Sequence, residues 1–219
     1  MSLIASDPWS PAVIPQGTPA WTRERVGHLT ASNMAKAVSF LKNGNESAER
    51  RKLKVQILAE RMADAAVDHF VTDDMQWGLD CEQSAKEAYA KLTGRRLTDG
   101  GFVRHRSIEF FGASPDSFVE HDGLLETKCP RTETHVSYIL AGVVPEDYKP
   151  QMLAQLACSG RRWCDFVSFD PRITDEKRRV FLRRFEPTPE EIAAIEDAAR
   201  RFLAEVDDMW EQLISVVQE

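Results

Sequence analysis

An acid and a lysine placed two apart inside an apolar run constrain this chain more than any other feature: Leu124-Leu125-Glu126-Thr127-Lys128-Cys129. Charged groups are rarely buried without partners, so a strand of this composition needs neighbours that satisfy Glu126 and Lys128. On a strand, residues two apart project from one face, which sets Glu126 beside Lys128 and turns Thr127 to the other side. Residues 117–120 look like a strand, and His121-Asp122-Gly123 has the make-up of a tight turn between the two segments. Folding back through that turn carries Asp116, of Ser114-Pro115-Asp116, to the same end of the sheet as Glu126. The sequence therefore asks for a hairpin with two carboxylates and a lysine at one end. The plainer alternative is an exposed hairpin carrying a surface ion pair.

The rest of the chain supplies what such a hairpin would pack on. Residues 1–20, punctuated by Pro8, Pro11, Pro15 and Pro19, read as an extended arm. A short amphipathic segment at 21–26 and a helix after Thr30 follow. The segment 46–70 has Leu53, Ile57, Leu58, Met62 and Ala65 at helical spacing, and a second helix over 74–92 ends at Gly94. After Gly100 and Gly101 the pattern changes, and strands at 102–105, 108–113, 117–120 and 124–129 read as one meander. Helices at 132–140 and 145–159, the second ended by Gly160, lead to strands at 163–170 and 180–185. From 188 to 219 runs one long helix, opened by Thr188 and Glu191 as a capping box with Pro189 in the first turn. Its apolar positions form two heptad rows, Ile192, Ala199, Val206, Leu213 and Ile195, Phe202, Met209, Val216, suited to packing on the chain's own body or on another subunit. The expected class is α/β, a mixed central β-sheet flanked by helices, with N-terminal helices and a long C-terminal helix, in a single domain over 1–219.

Charge bears on what such a domain can bind. A net charge of −7 argues against non-specific coating of DNA, which depends on phosphate neutralisation by Lys and Arg. The cations are nevertheless bunched: Arg23 and Arg25; Arg50, Arg51, Lys52 and Lys54; Arg95 and Arg96; Arg104 and Arg106; Arg161 and Arg162; Lys177, Arg178 and Arg179; Arg183 and Arg184. Bunching permits a local positive groove on an acidic body, or merely solvated helix faces and strand edges. Cys81, Cys129, Cys158 and Cys164 form no CxxC pair and read as reduced cytosolic thiols, while the scattered histidines have no metal-ligand spacing. No run approaches the roughly 18 apolar residues of a membrane span, and the Pro-rich start lacks the order of a signal peptide. The expected protein is soluble and cytoplasmic.

Asp116, Glu126 and the Thr127 backbone carbonyl make an all-oxygen donor set of the hard kind that Mg²⁺ prefers. Lys128 beside them would act as a cation or, with a lowered pKa, as a base. Such a site suits phosphodiester hydrolysis, in which one or two Mg²⁺ ions activate the attacking water and neutralise charge on the leaving 3′-oxygen.

Beyond the hairpin, five ordered elements resemble a known family. Trp21 with Arg25-Val26-Gly27 and Leu29-Thr30-Ala31-Ser32 resembles an opening W…R-x-G-x-(I/L)-T-A-S element. Trp77-Gly78 with Glu82 resembles a W-G-x-x-x-E helix. Ser114-Pro115-Asp116 and Leu125-Glu126-Thr127-Lys128-Cys129-Pro130 resemble S-P-D-G and L-E-(L/I)-K-C-P strands, and Tyr148 with Gln151 resembles a Y…Q helix. The set is similar to the lambda-type exonucleases, also called YqaJ-like viral recombinases, within the PD-(D/E)xK nucleases, and it runs over about 21–171. The resemblance implies a restriction-endonuclease-like fold and a processive 5′→3′ exonuclease that digests one strand of duplex DNA. It also implies a homotrimeric ring working beside a single-strand-annealing protein in phage-type recombination. By match, Asp116, Glu126 and Glu82 would bind metal, two Mg²⁺ per site with Mn²⁺ as a substitute. Lys128 and Gln151 would be catalytic with Asp116 and Glu126, and Arg25, Ser32 and Ser114 would hold the 5′-phosphate of a DNA end.

The chain departs from the pattern at Ser117, where Gly usually follows S-P-D and which reads as a turn variant. It departs again at Leu153, where a second Gln commonly follows Gln151. Each site residue also has a plainer reading: Glu82 as a half-buried acid capped by an arginine, Gln151 as a surface amide, Arg25 paired with Glu24, and Ser32 as a helix cap. Trp77 reads as core rather than as a wedge into DNA. The competing functions are a PD-(D/E)xK endonuclease of restriction or repair type and a non-catalytic module that binds DNA ends.

Overall fold

The computed structural model describes residues 12–67 and 72–216. Most of the expected arm, residues 68–70 of the helix read over 46–70, and residues 217–219 of the tail lie outside the described residues. The helix read over 46–70 stops sooner than expected, at Ala63, where Asp64 takes a left-handed φ of 48°. The chain opens with β1 (Ile14–Pro15) and α1 (Pro19–Arg25), the latter capped by the Thr18 hydroxyl accepting from the Trp21 N–H. Then come β2 (Leu29–Thr30), a 3₁₀ turn at Ala31–Asn33 and the short α2 (Met34–Ala37). Helices α3 (Ala48–Ala63) and α4 (Asp73–Thr93) start at Ser47 and Thr72 caps, and α4 stops at Gly94 with φ 68°. There follow β3 (Leu97–Asp99), β4 (Gly101–Arg104), β5 (Phe111–Ala113), β6 (Ser117–Val119), β7 (Gly123–Lys128), α5 (Thr132–Ala141) and α6 (Lys149–Ser159). The chain closes with β8 (Trp163–Phe169), β9 (Val180–Phe185) and α7 (Pro189–Val216), opened by the reciprocal Thr188 and Glu191 hydrogen bonds.

The strands expected to form one meander divide between two sheets. β1-β4-β5-β2 form one, and β3-β6-β7-β8-β9 form the larger. The break falls at Ser114-Pro115-Asp116, where Pro115 has no N–H to offer a ladder. Opposite it, the chain passes from β3 to β4 through Gly100, and the two crossings touch. A Cβ on Gly100 would stand 1.8 Å from the Pro115 carbonyl oxygen, so only glycine fits. The expected strand at 108–113 shrinks to β5 because Phe110 takes a left-handed φ of 55° in the turn. In the larger sheet β7 and β8 are parallel, and their other neighbours are antiparallel. A parallel pair needs a crossover, which α5 and α6 provide.

Alternation along β7 sorts its side chains between two layers. Leu124 packs with Cys164, Phe166 and Phe181 against Met152 and Leu156 of α6. Leu125 packs with Val167 and Phe169 against Ala85 and Tyr89 of α4. The α4 layer is locked in place by Tyr89, whose hydroxyl donates to Asp165 Oδ2 at 2.7 Å, with Arg184 donating to Oδ1 of the same carboxylate at 2.8 Å. Glu126 and Lys128 thus share the α6 side with Leu124.

Helix α7 packs on the chain's own body. Ile195, Ala199, Phe202, Leu203 and Val206 bury against Leu53 and Ile57 of α3 and Ala154 and Cys158 of α6. Each large apolar side chain buried this way contributes about 1.5–3 kcal/mol. Past Val206, Asp207 still pairs with Arg61 of α3, and Ile214 and Val216 beyond it are exposed. The four cysteines are free thiols, and among the described residues no helix is long and apolar enough to cross a membrane.

One ion-pair network ties α7 to α3. Glu205 accepts from the buried Arg50 at 2.6 and 2.7 Å and from Lys54 at 2.9 Å, while Glu46 also pairs with both. The Arg50 contacts hold the Glu205 carboxyl down at about 2, with Lys54 adding to the shift against the effect of burial. A depressed carboxyl stabilises the fold above its unfolded pKa of about 4.3 and loses that contribution as pH falls toward about 2. Glu205→Gln is expected to cost roughly 1–2 kcal/mol at pH 7, a figure discounted because Glu205 is partly exposed. Urea unfolding should show the difference from wild type shrinking between pH 5 and 2. Equal stability at pH 7 would mean that Glu46 alone suffices for Arg50 and Lys54.

Candidate active site

The register Ser117↔Leu125 places Asp116 opposite Glu126 at the open end of the β6–β7 hairpin. Asp116 is fixed by its neighbour strand: its Oδ2 accepts from the Thr127 N–H at 2.6 Å and from the Thr127 hydroxyl at 2.7 Å. Ser117, in place of the usual glycine, begins β6 without a left-handed φ. It is a strand residue rather than the turn variant expected, so the missing glycine costs the backbone nothing.

Glu126 is 1% exposed and saturated with donors. Its Oε1 accepts from the Gln151 amide at 2.6 Å and pairs with the Lys128 ammonium, and its Oε2 accepts from the Gln155 amide at 2.5 Å. Burial pushes Glu126 up to about 7, with Lys128 opposing the shift and the Asp116 charge adding to it. For Lys128 burial works against the cation, yet Glu126 and Asp116 outweigh it and hold the ammonium above the ordinary lysine range. In this arrangement Lys128 stands as a cation rather than a base. Its Nζ also lies 5.1 Å from the centre of the Tyr148 ring, which stacks on Phe166.

A cleft of about 540 Å³ gathers these groups, lined by Asp116, Glu126, Thr127, Lys128 and Gln151 together with Glu82, Arg25, Ser32 and Ser114. Every expected site residue therefore lines one cavity. Glu82 stands on its α4 wall with its carboxylate on Lys86 at 2.6 Å, a lysine where the plainer reading expected an arginine. Arg25 is not paired with Glu24, which binds Arg104 instead. Its guanidinium lies 4.1 Å over the Trp21 ring, and Trp21 donates its indole N–H to the Ser114 hydroxyl at 2.9 Å. Ser32 falls inside the 3₁₀ turn, hydroxyl to hydroxyl with Thr30 at 3.2 Å, so it is not a helix cap. Trp77 is half-buried beneath Arg172.

Many of the bunched cations are engaged elsewhere: Arg50 and Lys54 in the buried network, Arg184 on Asp165, Arg179 on Glu176. Sequence reasoning missed Gln155. The readable trace was its spacing, four residues after Gln151 on one helix, which puts both amides on the same face.

A divalent cation would find the right chemistry here. Asp116 and Glu126 are hard oxygen donors, and burial, with a smaller push from the Asp116 charge, holds Glu126 above the ordinary carboxylate range, a penalty that a cation would relieve. Among the described residues no three His, Cys, Asp or Glu side chains already converge as a metal cluster. Asp116, Glu126 and the Thr127 carbonyl would hold the ion, and Glu82, whose Oε1 pairs with Lys86, lines the same cleft.

Known proteins share this fold. An alkaline exonuclease (LHK-Exo) from Laribacter hongkongensis is 35% identical, with 92% of this chain and 98% of that one covered at a TM-score of 0.84. The same enzyme in complex with dAMP aligns at a TM-score of 0.85. A phage-related exonuclease from Haemophilus somnus 129PT, 17% identical with 85% of this chain and 96% of that one covered, shares the fold at a TM-score of 0.61. A search among curated proteins gives no match. The YqaJ-like viral recombinase domain matches residues 20–162, a span that contains the hairpin, the α4 acid and both α6 amides, and the chain belongs to that family.

Proposed function

We propose that this protein, a nuclease acting on DNA, is a Mg²⁺-dependent exonuclease that degrades one strand of linear duplex DNA processively from its 5′ end. The observation that carries the reading is the single cleft in which Asp116, Glu126, Lys128 and Gln151 meet Arg25, Ser32 and Ser114. A bound Mg²⁺, or Mn²⁺ in its place, would supply Lewis acidity and charge neutralisation to the phosphodiester. Asp116, held by Thr127, and Glu126, held by two amides, are oriented before any ion binds. Lys128 offsets negative charge as it builds on the phosphate, and Arg25 with the two serines grips a terminal 5′-phosphate beside the metal donors. The relative solved with dAMP, a deoxynucleoside monophosphate of the kind an exonuclease releases, supports the same reading.

The deciding experiment uses linear duplex DNA with one 5′ end phosphorylated and the other end blocked, with product lengths followed in time. Progressive shortening from the phosphorylated end, abolished by EDTA and restored by Mg²⁺, is expected. Cutting of closed circular duplex would favour an endonuclease, and binding without cleavage would favour an end-binding module.

Glu82 is proposed as the further carboxylate for a second Mg²⁺. Glu82→Gln should raise the metal concentration needed for half-maximal activity as well as lower the rate, and an unchanged titration would reduce Glu82 to the partner of Lys86. We further propose a homotrimeric ring that acts with a single-strand-annealing protein in phage-type recombination, supported by the family and by the uncovered apolar end of α7. Light scattering in moderate salt should give three times the 24.8 kDa chain mass. A monomer at micromolar concentration that still degrades long DNA processively would exclude the ring.

A further inference from the structure

We propose that Gln155 is a positioning residue for Glu126, holding one carboxylate oxygen in the core so that the other is presented to a divalent cation in the cleft. The inference rests on the function proposed above. Gln151 and Gln155 lie one helical turn apart on α6 and donate to opposite oxygens of the same carboxylate, Gln151 to Oε1 and Gln155 to Oε2. Their surroundings differ. Gln151 and Lys128, the two groups on Oε1, line the cleft, whereas Gln155 does not line it and is 0% exposed among Ala154, Leu156 and Cys158. The carboxylate is therefore pinned from behind at Oε2, while its Oε1 is met by the two cleft-lining groups, the Gln151 amide and the Lys128 ammonium.

Packing alone does not account for a glutamine at this place. With its N–H turned to Glu126, the buried Gln155 Oε1 has no hydrogen-bond partner among the described residues. A leucine or methionine would fill the same volume without a stranded oxygen, and stranded buried oxygens are costly. A polar group kept at a cost to stability is the mark of a site residue. The helix also explains the departure at Leu153. A residue two positions after Gln151 points away from Glu126, while one four positions on shares its face, so Gln155 provides a second amide that position 153 does not.

The test is calorimetric titration of Mn²⁺ into the full-length wild type, Gln155→Met and Gln155→Asn, with thermal melts of each. Methionine fills the volume without a donor, and asparagine keeps the amide but falls a methylene short. Both should melt within a few degrees of wild type yet bind Mn²⁺ about tenfold or more weakly, as expected when a group orienting a metal ligand is lost. On linear duplex DNA, kcat should fall with KM unchanged, because the substrate grip is elsewhere. Mn²⁺ affinity within about twofold of wild type in either folded variant would overturn the role, and so would loss of folding in both, which would make Gln155 structural. Wild-type protein that binds no Mn²⁺ would instead overturn the proposed function, and the role of Gln155 with it.

Discussion

Lys128→Ala is expected to lower cleavage of linear duplex DNA about a hundredfold or more while leaving the protein folded. About a quarter of the Lys128 side chain faces the cleft, so removing it admits water rather than opening a core cavity. What is lost is the cation beside Glu126 and Asp116. Asp116→Ala and Glu126→Gln should do equal damage, the second chosen because glutamine keeps the shape that three donors surround. Groups acting as a unit are not additive, so combining Lys128→Ala with Asp116→Ala should be little worse than either change alone. Single-turnover digestion of end-labelled duplex measures all four variants, with circular dichroism as the check on folding. A Lys128→Ala enzyme keeping more than about a tenth of the wild-type rate would remove Lys128 from the chemistry.

Arg25→Ala should erase most of the preference for 5′-phosphorylated over 5′-hydroxyl ends. A charge-assisted contact to a phosphate is worth roughly 1.5–3 kcal/mol, which corresponds to about ten- to a hundredfold in end preference. The structure makes Arg25 well suited to such a contact. It stacks on Trp21, and Trp21 bonds Ser114, so guanidinium and hydroxyl are held as one piece two residues from Asp116. Arg25→Lys should not restore the preference, since an ammonium offers neither the planar stack nor the forked donors. The tract digested per encounter should shorten as well, with residual cleavage still dependent on metal. Equal slowing on both kinds of end, with processivity intact, would make Arg25 a general backbone contact.

The amino-acid sequence by itself determined the elements with a clear period or stop: α4 up to Gly94, α6 up to Gly160, the hairpin through Gly123, and α7 from its Thr188 and Glu191 box. It also set Glu126 beside Lys128, because residues two apart on a strand share a face whatever surrounds them, whereas Arg25, Ser32, Glu82, Ser114 and Gln151 were named by the family resemblance alone. Strands β1, β2 and β3 escaped it, since two or three residues are too short to show a period. Only the tertiary structure decided that the expected meander splits into two sheets, because the contact between Gly100 and Pro115 joins segments far apart in the chain. It alone set most of the bunched arginines against carboxylates, since ion pairing depends on which acids the fold brings near. Gln155 belongs to the same class. Its spacing from Gln151 was visible, but its purpose depended on which face of α6 meets β7, and that is settled by packing.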